Sequence, residues 1–185
     1  MEIQPYCNPS PSPPAGNART WGESNCALAR LLAGHRRILK AAIETAEAIG
    51  RSIDEVIPLM VALCRRTCRF CPEPCCITNT VWFDFRDLLF LHLTGVSIPV
   101  CQAVSEPGEA CPFLGHHGCR QPAHLRPWMC IQYLCPAQRA ILERQGQAVL
   151  GGLLDKIETI NRQRTMMETD VVGCLRTSHR VRTRK

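Results

Sequence analysis

Apolar positions keep a helical rhythm at both ends of this chain and lose it in the middle. From about Ser24 to Ile49, Leu28, Leu31, Leu32, Ile38, Leu39, Ala42, Ile43, Ala46 and Ile49 keep a helical period, the spacing that lines one face of a helix. Gly50 then reads as a C-terminal stop, because glycine closes a helix without steric cost. Ser52 and Glu55 form a capping-box pattern for a second helix running towards Leu63, in which Pro58 demands a kink or a later start. Asp84 is placed to cap a short helix, DFRDLLFLHLTG, that Gly95 would end. Pro136 suits the first position of a further helix. Its apolar stripe is Val149, Leu150, Leu153, Leu154, Ile157 and Ile160, with Gly146, Gly151 and Gly152 weakening its centre.

Between these segments the period vanishes. Pro72 and Pro74 forbid a regular helix, and residues 97–135 read as irregular. Residues 1–20, rich in Pro, Ser and Asn, read as disordered. No repeat and no alternation of strands with helices is visible. The expectation is a mainly α fold: one small domain over residues 24–170, whose helices bracket an irregular cysteine-rich metal-binding core at 64–136. A length of 185 residues fits one domain, and aromatics at 5% leave packing to Leu, Ile, Val and Ala.

Charge changes this picture little. Arg176, Arg180, Arg182, Arg184 and Lys185 supply five of the six net positive charges, in a basic tail at 176–185 that reads as a solvated, disordered end. The cysteine region lacks a basic helix with interleaved aromatics, which argues against a nucleic-acid module. MEIQPYCNPSPSPP carries no basic and apolar export signal, and the longest apolar run, LLFLHL, is far below the roughly 18–20 residues that span a bilayer. The expectation is a cytoplasmic protein with no membrane partner.

Cysteine changes the picture most. Of thirteen, eight fall in two blocks: Cys68, Cys71, Cys75 and Cys76, then Cys111, Cys119, Cys130 and Cys135. In a reducing compartment, clustered thiols point to soft-metal ligation rather than disulfides, and thiolates select Zn2+ or Fe–S centres. Cys68-x2-Cys71 is a knuckle whose sulfurs can converge on one ion at about 2.3 Å. Cys75 and Cys76 are adjacent, so their side chains are expected to point apart, favouring two nearby metals or one polynuclear cluster. Arg65, Arg66, Arg69, Arg120 and Arg126 crowd the thiols and can offset thiolate charge. His116, His117 and His124 are alternative ligands. Cys64 reads as the end of the preceding helix, near the site without ligating. Cys7, Cys26, Cys101 and Cys174 lack close cysteine neighbours and read as bystanders.

The ordered run CRFCPEPCC, then CPFL, GC, RPWMC and Cys135 resembles the YkgJ-like CxxCxxCC cysteine-cluster family, over about residues 64–136. That resemblance implies zinc or iron chelation through the eight cysteines, without a defined reaction. Three residues separate Cys71 from Cys75 where the family has two, which bears on how the sulfurs divide between metals. A second pattern, Cys64-x3-Cys68-x-Phe70-Cys71, is similar to the three-cysteine motif of radical SAM enzymes. The 114 residues after Cys71 lack the strand–helix alternation such a barrel needs. The leading expectation is a protein holding Zn2+ or iron for folding, metal handling or protein binding. An Fe–S oxidoreductase or electron carrier is the alternative.

Overall fold

Two long helices carry the fold, and a seven-residue rhythm pairs them. In the computed structural model, which describes residues 18–103, 110–116 and 118–182, helix α2 spans Lys40–Thr67 and helix α7 spans Gln147–Arg182. Ala42, Ala46, Ile49, Ile53, Val56, Met60 and Leu63 are the buried residues of α2, in alternating steps of four and three. The buried residues of α7 repeat the alternation at Leu150, Leu153, Ile157, Ile160, Arg164, Met167 and Val171. Such a rhythm keeps one narrow stripe facing a partner, as in a coiled-coil seam. The helices run antiparallel: Lys156 pairs with Glu55 at 2.7 Å, and further along the Cys174 thiol donates to the Ile38 carbonyl at 3.3 Å.

Five shorter helices complete the helical set among the described residues: α1 (Ala18–Gly34), α3 (Cys75–Thr78), α4 (Phe85–Thr94), α5 (Trp128–Gln132) and α6 (Pro136–Gln145). A two-stranded antiparallel ribbon joins β1 (Leu114–Gly115) to β2 (Gly118–Cys119), with Leu114 opposite Cys119. The chain is mainly α. None of the described helices is long and apolar enough to cross a membrane.

The seam overrules several local signals. Gly50 does not stop a helix, and Ser52 and Glu55 cap nothing; both fall inside α2, which also runs through Pro58. Gly50 and Pro58 lie off the seam, so neither removes a buried contact. The Phe90 ring lies 3.7 Å from where a Gly50 side chain would begin. The break falls earlier, at Gly34, because Ala33, Gly34, His35, Arg36 and Arg37 interrupt the apolar stripe. In α7, Val149 and Leu154 are exposed, so the buried stripe is narrower than expected, and it continues to Val171. The stretch expected as an irregular basic tail is helical as far as Arg182. The contact of Cys174 with Ile38 sets exposed Arg176 and Arg180 at the same end as exposed Arg36 and Arg37. Residues 1–17 and 183–185, with Cys7 and His117, lie outside the described residues.

Other local signals hold. Asp84 caps α4 in a reciprocal box: its carboxylate accepts from the Asp87 N–H at 2.7 Å, and the Asp87 carboxylate accepts from the Asp84 N–H at 3.1 Å. Gly95 ends α4 at φ 73°, a left-handed value that favours glycine. Pro136 opens α6. A second, smaller core of Trp21, Val81, Phe83, Leu91 and Ala103 flanks α4. Gln102 pins it, accepting from the Phe83 N–H at 2.6 Å and donating to the Phe83 carbonyl at 3.0 Å.

One charged residue occupies the apolar seam. Arg164 is only 2% exposed, and its guanidinium reaches Asp84 and Asp87, each at 2.9 Å. It also lies 5.9 Å from the centre of the Trp128 ring. The Asp87 carboxylate accepts in addition from the Trp128 N–H at 3.1 Å. Burial pushes Asp87 up to about 6, while Arg164 and the two N–H donors pull it back. The indole of Trp128 donates to Asn161 at 2.6 Å, tying α5 to α7 a second time.

Two stability outcomes are expected. Arg164→Met strands the buried Asp87 carboxylate and should cost about 3–5 kcal/mol, measured by urea unfolding. Gly50→Ala, in a helix interior with room for a methyl, should gain about 0.5–1 kcal/mol; a loss of stability would show that the Phe90 contact does not yield.

Candidate metal centre

The cysteines sit where the ordered elements end. On the last turn of α2 the Cys68 N–H donates to the Cys64 carbonyl, which places the two side chains one helical turn apart. The Thr67 hydroxyl lies 3.8 Å from the Cys68 sulfur. The neighbouring Cys64 thiol holds Cys68 down to about 6, against the opposing effect of burial and with help from Thr67 and Arg126. The nearby Cys68 thiol, with burial behind it, pushes Cys64 up. Cys71 follows a one-turn 3-10 segment and is exposed.

Pro74 then opens the single turn of α3, which begins with Cys75 and Cys76. The neighbouring Cys76 thiol lowers Cys75 to about 7, and Cys75 with burial raises Cys76. With Cys64, the first block becomes two close pairs of cysteines, 64 with 68 and 75 with 76, and the exposed Cys71.

Backbone contacts bring the second block to the first. The Cys111 N–H donates to the Cys76 carbonyl at 2.8 Å. The ribbon that follows returns at Gly118, whose φ of 105° calls for glycine, and a side chain there would begin 3.9 Å from Cys68. Arg120 crosses the ribbon, donating to the Pro112 carbonyl at 3.0 Å. Its Cγ would lie only 2.9 Å from a β-carbon on Gly115. Arg126 donates to the carbonyls of Gln121 at 3.0 Å and Cys119 at 3.5 Å. Its charge favours the thiolates of both Cys64 and Cys68.

Cys130 lies on α5, whose start is fixed by the Trp128–Asp87 hydrogen bond. Burial pushes its thiol up, reinforced by Cys119, Cys111, Cys75 and Asp87. Cys111 is raised chiefly by burial, with Cys119 and Cys101 adding to the effect. Cys135 caps α6, its sulfur accepting from the Gln138 N–H at 3.5 Å. The buried Gln138 side chain accepts from the Cys135 N–H at 3.2 Å and donates to the Cys64 sulfur at 3.5 Å. One glutamine thus spans from Cys135 to Cys64.

Of the eight cysteines singled out from sequence, Cys75, Cys76, Cys111 and Cys130 lie close enough to other thiols of the set to be shifted by them. Cys135 reaches the group through Gln138, and Cys71 stands exposed beside it. Among the described residues, no three His, Cys, Asp or Glu side chains already converge as a ready metal cage. Arg65, Arg66 and Arg69 are exposed, with Arg69 lying over the Phe70 ring at 5.4 Å, so Arg126 is the arginine that faces the thiols of α2. His116 and His124 are exposed. Cys26 is exposed on α1, and Cys174 bonds to Ile38. Sequence reasoning missed Gln138, Arg164 and the Cys64–Cys68 pairing. The four-residue spacing of that pair on a helix was the available signal.

Comparison with protein-family models, curated proteins and solved structures returns no match.

The paired thiols give a pH signature. In metal-free protein, alkylation of Cys68 should reach half its maximal rate near pH 6 and that of Cys75 near pH 7. Cys64, Cys76 and Cys130, all raised, should stay slow at neutral pH because the thiolate is the nucleophile. Peptide mass spectrometry after timed labelling reads each site; a Cys68 profile centred at or above the ordinary 9.0 would contradict the pairing.

Proposed function

We propose that this protein is a soft-metal chelator that holds Zn2+ or iron, the latter as ions or an Fe–S cluster, through the cysteines at 64–136. The observation that carries this reading is the stitching of two separate cysteine blocks. The Cys111–Cys76 hydrogen bond and the approach of Gly118 to Cys68 gather thiols from both into one region. The donor set fits the group chemically: sulfur ligands, an arginine to offset their charge, and the Gln138 amide to orient a sulfur. All described cysteines are free thiols, the form that metal ligation draws on.

Cys68, Cys71, Cys75, Cys76, Cys111, Cys119, Cys130 and Cys135 are the ligands in this reading, as in the YkgJ-like family that the motif order resembles. They divide by location. Cys68 and Cys135 lie where α2 ends and α6 begins. Cys75, Cys76, Cys111, Cys119 and Cys130 lie around α3, the ribbon and α5. Two neighbouring centres follow from that division, with the exposed Cys71 beside the first. Bound metal supplies the cross-links that the irregular middle lacks, so it is integral to the fold there. A reducing, cytoplasmic setting suits such thiols.

Anaerobic purification, elemental analysis and an absorption spectrum test the reading. Near-stoichiometric zinc without visible absorbance identifies a zinc centre. A broad band near 400 nm that dithionite bleaches identifies an Fe–S cluster and favours the redox alternative. Protein that folds fully and holds neither metal overturns it.

A further inference from the structure

We infer that Cys64, outside the eight-cysteine motif, is a metal ligand, paired with Cys68 across the last turn of α2. This rests on the metal-binding reading above and adds a ninth thiol to it. The backbone bond from Cys68 to Cys64 keeps both residues in helical register. Side chains four apart on a helix have Cβ atoms about 5–6 Å from each other. Two sulfurs on one tetrahedral ion, each bound at about 2.3 Å, stand about 3.8 Å apart, a separation that this spacing reaches without bending the backbone. The Cys68-x2-Cys71 knuckle, by contrast, leads to a sulfur on an exposed residue.

The surroundings of Cys64 are those of a ligand rather than of a packed apolar thiol. The Gln138 amide donates to its sulfur at 3.5 Å, the orienting contact that metal-bound sulfur commonly receives. Gln138 is 3% exposed and anchored at its other end on the Cys135 N–H. That contact brings Cys135, the last cysteine of the motif, to the Cys64–Cys68 pair. Gly118 closes on Cys68 from the ribbon, and Arg126 reaches the carbonyl of Cys119 at 3.5 Å. Cys64, Cys68 and Cys135 thus come from two helices held by the main core. A binding ion would displace the protons of the thiols and release them to solvent.

The experiment uses the full chain, stripped of metal and kept anaerobic. It is labelled with iodoacetamide at pH 9 in the absence of metal, with Zn2+, and with Fe2+, and each cysteine is quantified by peptide mass spectrometry. Metal should slow labelling of Cys64 at least tenfold, in step with Cys68, while Cys26 on α1 labels equally throughout. As a second readout, Cys64→Ser should bind its tightest Zn2+ at least tenfold more weakly in competition with a chromophoric chelator, with helix content by circular dichroism matching wild type. Metal that shields Cys68 while leaving Cys64 reactive, or a folded Cys64→Ser of unchanged affinity, overturns the assignment and leaves the metal-binding reading standing. A wild-type chain in which neither ion shields any thiol overturns both.

Discussion

The buried pair of Arg164 with Asp87 is the interaction on which the rest depends. A guanidinium taken from water into an apolar seam is tolerable only if its charge and its N–H donors are met there. Asp84 and Asp87 meet them, and both belong to the capping box that starts α4. The same Asp87 carboxylate holds the first N–H of α5. A single charge on α7 thereby fixes the start of α4 and the start of α5, and α5 carries Cys130. An apolar residue at 164 could pack the seam equally well, yet it could not orient a carboxylate towards Trp128. The pair sets the position of two helix starts at once.

Much of the fold was legible in the sequence where a local rule and the seam agree. Asp84 and Gly95 bound α4, and Pro136 opens α6, because capping chemistry is local and no tertiary demand opposes it. Gly50 and the Ser52–Glu55 pair misled for the opposite reason. Each carries a local preference worth a few kcal/mol at most, whereas α2 buries seven side chains along α7 as one continuous stripe. Interrupting the helix at Gly50 would split that stripe. The heptad rhythm itself was readable, but only by letting Arg164 stand at an apolar position, where a hydropathy pattern rejects it. The basic tail was misjudged similarly: Met167 and Val171 keep the seam going, and the helix runs past them into the arginines.

The candidate site was legible in its donors and illegible in its pairing. Cysteine spacing marks which residues are available, but not which sulfurs meet. Cys68-x2-Cys71 is one spacing that can converge, and the last turn of α2 adds Cys64 one helical turn behind Cys68. Cys75 and Cys76 share the single helical turn that follows Pro74. At the edge of a helix one residue of register changes the partner. The long-range contacts, Cys111 with Cys76 and Gly118 with Cys68, leave no trace in spacing at all.

The thiols also differ in what holds them, and this implies an order of assembly. Cys64 and Cys68 end a helix whose seam is part of the main core. Cys130 follows Trp128, which is bound to Asp87 and Asn161, and Cys135 caps α6. Cys64, Cys68 and Cys130 are set by the packing of their helices, and Cys135 by the cap its own sulfur makes. Cys75, Cys76 and Cys119 lie instead on one short helical turn and a two-stranded ribbon, and Cys111 lies between the two in chain order. On the proposed metal-binding reading, an ion captured first by the anchored thiols would meet low conformational cost, because those side chains are already in place. The loop thiols would then close on a partly formed centre, their ordering entropy offset by metal bonds rather than by a core. Metal would therefore change the order of α3 and of the two-stranded ribbon far more than that of α2 and α7.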